Sequence, residues 1–313
     1  MPAHAKLAAL VARCTGRAPL PMAIVHPCDG PSLEGAIRAA EAGLIAPVLV
    51  GPQARIRATA LEAELDLATW TIVDTPHSHA SAERAVALVR EGAVAALMKG
   101  SLHTDELMAA VVAKDTGLRT ARRLSHVFVM DVPTYGKLLL ITDAAVNILP
   151  SLDDKADIVA NAIELAQALG VATPKVAILS AVETVTAKLP STIEAAALCK
   201  MADRGQIRGG LLDGPLAFDN AINREAARSK GITSEVAGDA DILLVPDLEA
   251  GNMLAKTLTF LGGADAGGVV MGARVPMVLT SRADSLVARM ASCAIAVLDA
   301  AARAERLAKR GQT

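Results

Sequence analysis

An α/β fold with a mostly parallel sheet is the expectation for this chain, on three observations. Short runs rich in Val, Ile and Leu alternate along its 313 residues with longer Ala-rich runs whose apolar positions recur at helical spacing. Hydrophobic residues make up 52% against 20% charged, which suits a large core and excludes a disordered chain. Aromatic residues are only 2%, so that core is aliphatic, and base-stacking platforms and aromatic carbohydrate grooves are demoted.

The strand-like runs, in order, are residues 22–26, 47–50, 71–73, 93–98, 125–130, 138–142, 176–180, 210–213, 242–245, 268–271 and 277–280. Each is short and set off by turn residues, as strands covered by helices usually are. Between them, residues 33–42, 81–91, 104–114, 153–169 and 286–307 carry the helical pattern. In the last of these, Leu286, Val287, Met290, Ala294, Val297 and Leu298 fall on one face. So many strands exceed one typical open sheet, which argues for two α/β lobes. The turn cluster Asp131-Val-Pro-Thr-Tyr-Gly136 and the helix start near Ser285 mark the expected joins. Residues 1–130 with 285–313 would form the first lobe and residues 131–284 an inserted second lobe.

Lys plus Arg number 31 and Asp plus Glu 33, a net charge of −2, so no basic field exists to hold a nucleic-acid backbone. Charged residues interrupt every apolar run before it reaches the roughly 18 residues of a membrane span. The four cysteines, Cys14, Cys28, Cys199 and Cys293, lie far apart without metal-ligand spacing, which fits buried thiols in a reducing compartment. The Ala- and Arg-rich start reads as a surface helix, and without a signal-peptide core the expected location is the cytoplasm.

Several standard sites are missing from the text of the chain. No GxG occurs, and the Gly136-Lys137 pair lacks the remainder of a phosphate-binding loop. No GxSxG, HExxH or EF-hand pattern is present, and no close carboxylate spacing suggests a metal. His77 and His79 flank one serine in a turn without further ligands, while His103 and His126 follow or start more promising segments.

Three strand-to-helix turns carry candidate chemistry. The first, Ser281-Arg282-Ala283-Asp284-Ser285, joins a strand to the terminal helix. A helix start offers free N–H groups and positive potential, and Ser281 with the planar Arg282 would suit a phosphate dianion. Equally, Asp284 or Ser285 could simply cap the helix and Arg282 be solvated. The second turn places Lys99 at a strand end, with Gly100 allowing a tight bend and Thr104 as an N-cap, either for an anion or as ordinary capping. The third group is Asp213-Gly214 together with the 245–252 loop containing Asp247, Gly251 and Asn252, where carboxylates and bare backbone follow strands. Capping is the open alternative there for Asp213, Asp247 and Glu249.

At these same residues the chain resembles the phosphate acetyltransferase and phosphate butyryltransferase family. The matching text is LMKGSLHTDELM (97–108), LSHVFVMDVPTYGKLLLITDAAVNI (124–148), LLDGPLAFDNAI (211–222), VAGDADILLVPDLEAGNMLAK (236–256) and VVMGARVPMVLTSRADS (269–285), in colinear order. The resemblance implies transfer of a short acyl group between CoA and inorganic phosphate, by direct attack in a ternary complex. It implies two α/β/α lobes of the isocitrate/isopropylmalate dehydrogenase-like kind, a homodimer or larger assembly, a coenzyme A thioester as substrate and no tightly bound cofactor. The family's Ser-Arg pair falls on Ser281 and Arg282, its aspartate on Ala288, and Asp284 is the nearest carboxylate. Ser125, Lys137, Asp143 and Asn147 would orient substrate from the other wall. Two other readings stand beside it: an NAD-dependent decarboxylating dehydrogenase on the same fold, and a non-catalytic CoA-binding relative.

Overall fold

The computed structural model describes residues 4–279 and 284–310. The first half runs α1 (Ala5–Ala12), β1 (Leu20–Val25), α2 (Gly30–Glu41), β2 (Ile45–Gly51), α3 (Gln53–Glu62), β3 (Thr71–Asp74), α4 (Ser78–Arg90), β4 (Ala96–Lys99), α5 (Thr104–Val112), β5 (Ser125–Asp131) and β6 (Leu139–Thr142). The second runs α6 (Leu152–Ala168), β7 (Lys175–Leu179), α7 (Pro190–Asp203), β8 (Leu211–Leu216), α8 (Phe218–Ile222), α9 (Arg224–Ser229), β9 (Ile242–Leu244), α10 (Leu248–Phe260), β10 (Asp265–Met271), β11 (Met277–Val278) and α11 (Leu286–Arg310). Each strand-like run of the sequence meets a strand, with ends shifted by a few residues.

Contacts gather the chain into two compact units, a terminal unit of Ala8–Arg122 with Gly267–Thr313 and an inserted unit of Met1–Leu7 with Arg123–Ala266. These joins differ from the expected 130/131 and 284/285, and strand pairing is the reason. β5 groups with the residues after it because it pairs antiparallel with β6, Val127 opposite Thr142. β11 groups with the first part of the chain because it pairs parallel with β4, Met277 opposite Leu97. A turn cluster marks a bend in the chain, whereas hydrogen bonding between strands decides membership of a unit.

In the terminal unit the strands lie in the order β3-β2-β1-β4-β11-β10, parallel except for β10 against β11. Met22, Ala23, Ile24 and Val25 of β1 are fully buried, as expected of a strand covered on both faces. From β1 the chain moves outward to β2 and β3, then returns to the other side of β1 as β4. The loops after β1 and β4 therefore diverge at a topological switch point, where open α/β sheets bind ligands.

In the inserted unit the order is β5-β6-β9-β7-β8, with β6, β9, β7 and β8 parallel and β5 antiparallel at the margin. Its core is aliphatic, built on Met130, Leu139, Ile141, Leu179, Leu216 and Leu243. Helix α6 starts with a full capping box, Ser151 accepting from Asp154 N–H and Asp154 accepting from Ser151 N–H, so this boundary is dictated locally. The parallel strands place the loops after β6, β7, β8 and β9 along one carboxyl edge.

Candidate active site

At the terminal unit's carboxyl edge, the turn after β4 is laced to the end of β1. Gly100 N–H donates to Val25 O at 2.8 Å, Ser101 Oγ donates to His26 O at 2.9 Å, and Cys28 N–H donates to Ser101 Oγ at 3.1 Å. A Cβ on Gly100 would sit 2.5 Å from Val25 O, so only glycine permits this approach. Lys99 donates to Gly100 O at 3.2 Å and Leu102 O at 3.1 Å, which ties its ammonium to the turn. Thr104 is the first residue of α5 and not its cap; the N-cap is His103, whose side chain makes no capping bond. His26, 5% exposed, meets Ser81 Oγ through Nδ1 at 3.2 Å, and burial, with Arg55 adding to it, lowers its pKa.

β11 ends with Val278 beside Met98 of β4, so the chain leaves the sheet next to Lys99. Ser281 and Arg282, the expected anion site, follow directly and lie outside the described residues. Asp284 is half-buried and immediately precedes Ser285, whose Oγ accepts from Ala288 N–H at 3.1 Å and so caps α11. The aspartate expected by resemblance at position 288 is thus replaced by an alanine in the first turn of that helix.

The inserted unit's carboxyl edge joins several of the other expected residues. Asp143, 2% exposed, accepts from the N–H groups of Ala145, Val146 and Asn147 at 2.9, 3.0 and 3.1 Å, and from Asn147 Nδ2 at 2.6 Å. Asn147 Nδ2 also donates to Leu124 O at 2.8 Å, while its Oδ1 accepts from Arg123 Nε at 2.7 Å. Ser125 is fully buried and accepts from Asn161 Nδ2 at 2.9 Å. These three were expected to orient substrate; Asp143 and Asn147 are buried and brace the loop after β6, while Ser125, at the start of β5, is tied to α6 through Asn161. The start of α10 packs on that loop: a Cβ on Gly251 would lie 2.7 Å from Val245 Cγ2 and 2.9 Å from Ala144 Cβ, and Asn252 Nδ2 donates to Ala144 O at 3.3 Å. Asp247 caps α10, accepting from Ala250 N–H at 2.8 Å, which is the open alternative of the sequence reading.

Two expected site residues fall elsewhere. Lys137 precedes β6 at the opposite, amino edge of the sheet, where its ammonium pairs with Asp241 at 2.6 Å and Asp239 at 3.1 Å. Asp213 lies inside β8, paired with Ala177 rather than following the strand, and its carboxylate accepts from Gly214 N–H at 2.8 Å.

At the carboxyl edge the sequence reading passed over Arg123 and singled out His126 without giving it a place in the site. Arg123 bonds Asn147 while its side chain stays 55% exposed, a cation at the mouth of β5. The Arg122-Arg123 doublet before a strand was the available signal. His126 is buried with no hydrogen-bond partner on Nδ1, its ring edge-on to Phe128 at 4.4 Å. Burial lowers its pKa to about 4 although the Asp143 carboxylate pulls the other way, so the imidazole is neutral at pH 7. Among the described residues no group of His, Cys, Asp and Glu could hold a metal ion.

Comparison with known proteins gives this arrangement a lineage. A family described as Phosphate acetyl/butaryl transferase matches residues 79–297. A phosphate acetyltransferase of Rhizobium meliloti is 67% identical over 294 residues, covering 94% of this chain and 93% of its own length. Among solved structures, a branched-chain phosphotransacylase from Enterococcus faecalis is 32% identical with a TM-score of 0.79, covering 90% of this chain and 99% of that one. A 4-hydroxythreonine-4-phosphate dehydrogenase from Burkholderia phymatum shares the fold alone, at 12% identity and a TM-score of 0.57 over 91% of this chain and 99% of that one. A match over more than half of the chain means that the chain belongs to the phosphate acetyl/butyryl transferase family.

Proposed function

We propose that this chain is an acyltransferase that moves a short acyl group between coenzyme A and inorganic phosphate. The observation that carries the reading is the 67% identity to a named phosphate acetyltransferase over nearly the whole of both chains. In the reaction a phosphate oxygen forms a bond to the thioester carbonyl carbon, the C–S bond breaks, and the electron pair leaves on sulfur. A thiolate departs easily, its parent thiol having a pKa of about 8.5 in the Cys analogue, so no strong general acid is required. What the protein must supply is alignment of the two substrates and stabilisation of the charge on the carbonyl oxygen.

Within that reading, Ser281 and Arg282 hold phosphate, helped by the first N–H groups of α11, and Asp284 is the nearest carboxylate to that pair in the sequence. Lys99, Gly100 and Thr104 shape the neighbouring turn at the switch point. The nicotinamide-dependent dehydrogenase alternative is supported only by a shared fold at 12% identity, which carries no activity. The substrates are acyl-CoA and phosphate, with no tightly held cofactor. A cytoplasmic site of action fits the free thiols Cys14, Cys28, Cys199 and Cys293. No helix among the described residues is long and apolar enough to cross a membrane. A homodimer is the assembly the family resemblance favours, checked by light scattering.

The test is release of free thiol from acetyl- or butyryl-CoA. Release that depends on phosphate, with a loss of about 100-fold in kcat/KM for Arg282→Ala, is the expected result. Thiol release without phosphate, or an unaltered Arg282→Ala enzyme, would sink the reading.

A further inference from the structure

His26, the first residue after β1, joins the switch point of the terminal unit through both its backbone and its ring. Its φ of 56° lies in the left-handed region, which residues with a side chain seldom adopt, Asn, Asp and His most readily. In that conformation its N–H donates to Val50 O at 2.7 Å, and its carbonyl accepts from Ser101 N–H and Ser101 Oγ, both at 2.9 Å. The backbone of residue 26 thus ties the ends of β1 and β2 to the turn after β4. Its ring reaches the other way, to the start of α4. Ser81 Oγ lies 3.2 Å from His26 Nδ1, 2.8 Å from Thr75 Oγ1 and 2.9 Å from His77 O. A carbonyl can only accept, so the single Ser81 hydroxyl proton goes to His77 O, and Thr75 Oγ1 and His26 Nδ1 both donate to Ser81 Oγ. That arrangement puts the ring proton on Nδ1, and the pKa lowered by burial means that Nε2 carries none at pH 7. Ser81 is fully buried and Thr75 is 7% exposed, so water hardly competes for these bonds.

Resting on the acyl-transfer reading, we infer that His26 is a positioning residue for the reaction: Ser81 clamps its ring, and the clamped residue holds the Lys99–Ser101 turn where that turn meets the anionic substrates. The left-handed backbone is unfavourable for a residue with a side chain, so it persists only while the ring bond holds it. Release of the ring lets residue 26 relax to a negative φ, which carries its carbonyl away from Ser101. Gly100 follows, because it packs so closely on that carbonyl that a Cβ would lie 2.7 Å from His26 O. Lys99, bonded to Gly100 O at 3.2 Å and Leu102 O at 3.1 Å, moves with the turn. Asparagine is the conservative replacement: it tolerates the left-handed region, and its amide nitrogen is attached to Cγ, as Nδ1 is. Alanine keeps neither property.

The experiment measures phosphate-dependent thiol release from acetyl-CoA, and hydrogen exchange at the Gly100 and Ser101 amides, in wild type, His26→Ala, His26→Asn and Ser81→Ala. His26→Ala should lose about 10- to 100-fold in kcat/KM for phosphate, since a displacement of about 1 Å can cost that much. Ser81→Ala keeps His26 and frees its ring, so it should lose about tenfold even if His26→Ala fails to fold. His26→Asn should stay within about threefold of wild type. Exchange at the two amides should speed up about tenfold in both alanine variants and not in His26→Asn, while amides of the inserted unit keep their wild-type rates. Wild-type kcat/KM and exchange in Ser81→Ala, or a loss in His26→Asn as large as that in His26→Ala, overturn the inference while leaving phosphate-dependent transfer intact. If wild type releases no thiol with phosphate, the activity reading fails on its own. Calorimetry with inorganic phosphate then decides the clamp: binding that weakens in Ser81→Ala and survives in His26→Asn sustains it, and equal or absent binding overturns it.

Discussion

The two edges of the inserted unit's sheet use charge in opposite ways. At the amino edge, Lys137, Lys175 and Arg224 converge on Asp239, and Lys137 also pairs with Asp241, so cations and carboxylates satisfy each other. Tyr135 closes the cluster through a 2.6 Å bond to Ala240 O, and burial with the neighbouring aspartates pushes its pKa up. At the carboxyl edge, Asp143 spends its charge on backbone N–H groups and Asn147, which rigidifies a loop while Arg123 stays partly exposed beside it. Apolar side chains reach solvent nearby: Ile148 is 75% and Leu149 80% exposed. The first edge is closed ion pairing that ties strands together. The second is a braced, open surface of the kind that receives a ligand.

The largest test of this contrast is Asp143→Ala. Four N–H donors lose an acceptor around a buried carboxylate, so stability should fall by about 3 kcal/mol in urea unfolding, with kcat/KM falling as the loop loosens. A loss within experimental error would remove the bracing role. Next comes Lys137→Met, which leaves Asp241, 8% exposed at its side chain, without its closest cation. A destabilisation of about 1 to 2 kcal/mol is expected, discounted for the partial exposure of the lysine. Acyl transfer should stay near wild type, because a lysine contacting substrate would cost roughly tenfold or more. A large kinetic loss in a folded Lys137→Met protein would return Lys137 to the substrate wall.

The smallest effect is in the acid limb. Burial works against the Asp239 carboxylate, but hydrogen bonds and charge from Lys175 and Lys137 outweigh it and hold its pKa at about 2. A depressed carboxyl pKa adds stability above its unfolded value near 3.8 that is lost as pH falls towards 2. Asp239→Asn should therefore flatten the stability profile in that window, and melting curves between pH 5 and 2 are the measurement. An identical acid limb in the variant would mean that the cluster contributes nothing there.

The same residues show how far sequence reading reaches. Lys137 and Asp143 belong to one continuous motif match and both read as parts of a substrate wall. Between them runs β6, whose four residues at about 3.3 Å each carry the chain roughly 13 Å across the sheet, to opposite edges. Nothing in a linear pattern says which end of a short strand faces the ligand. Thr104 reads as a cap by residue preference, yet the backbone makes His103 the half-in residue, a shift of one position that capping preferences alone do not decide. Asp247, by contrast, sits directly before a helical run and caps it, because that bond is local.

The sequence by itself determined the α/β class, nearly every strand, the aliphatic core and the family, since these rest on short-range periodicity and on colinear text. The tertiary structure decided three further matters. It placed β5 in the inserted unit through its pairing with β6, and β11 beside β4 from a far earlier part of the chain, because pairing partners decide where a strand belongs. It separated braced carboxylates from paired ones. And it assembled one apolar cavity from residues 179 to 254, whose side chains meet only because three parallel strands end on the same edge.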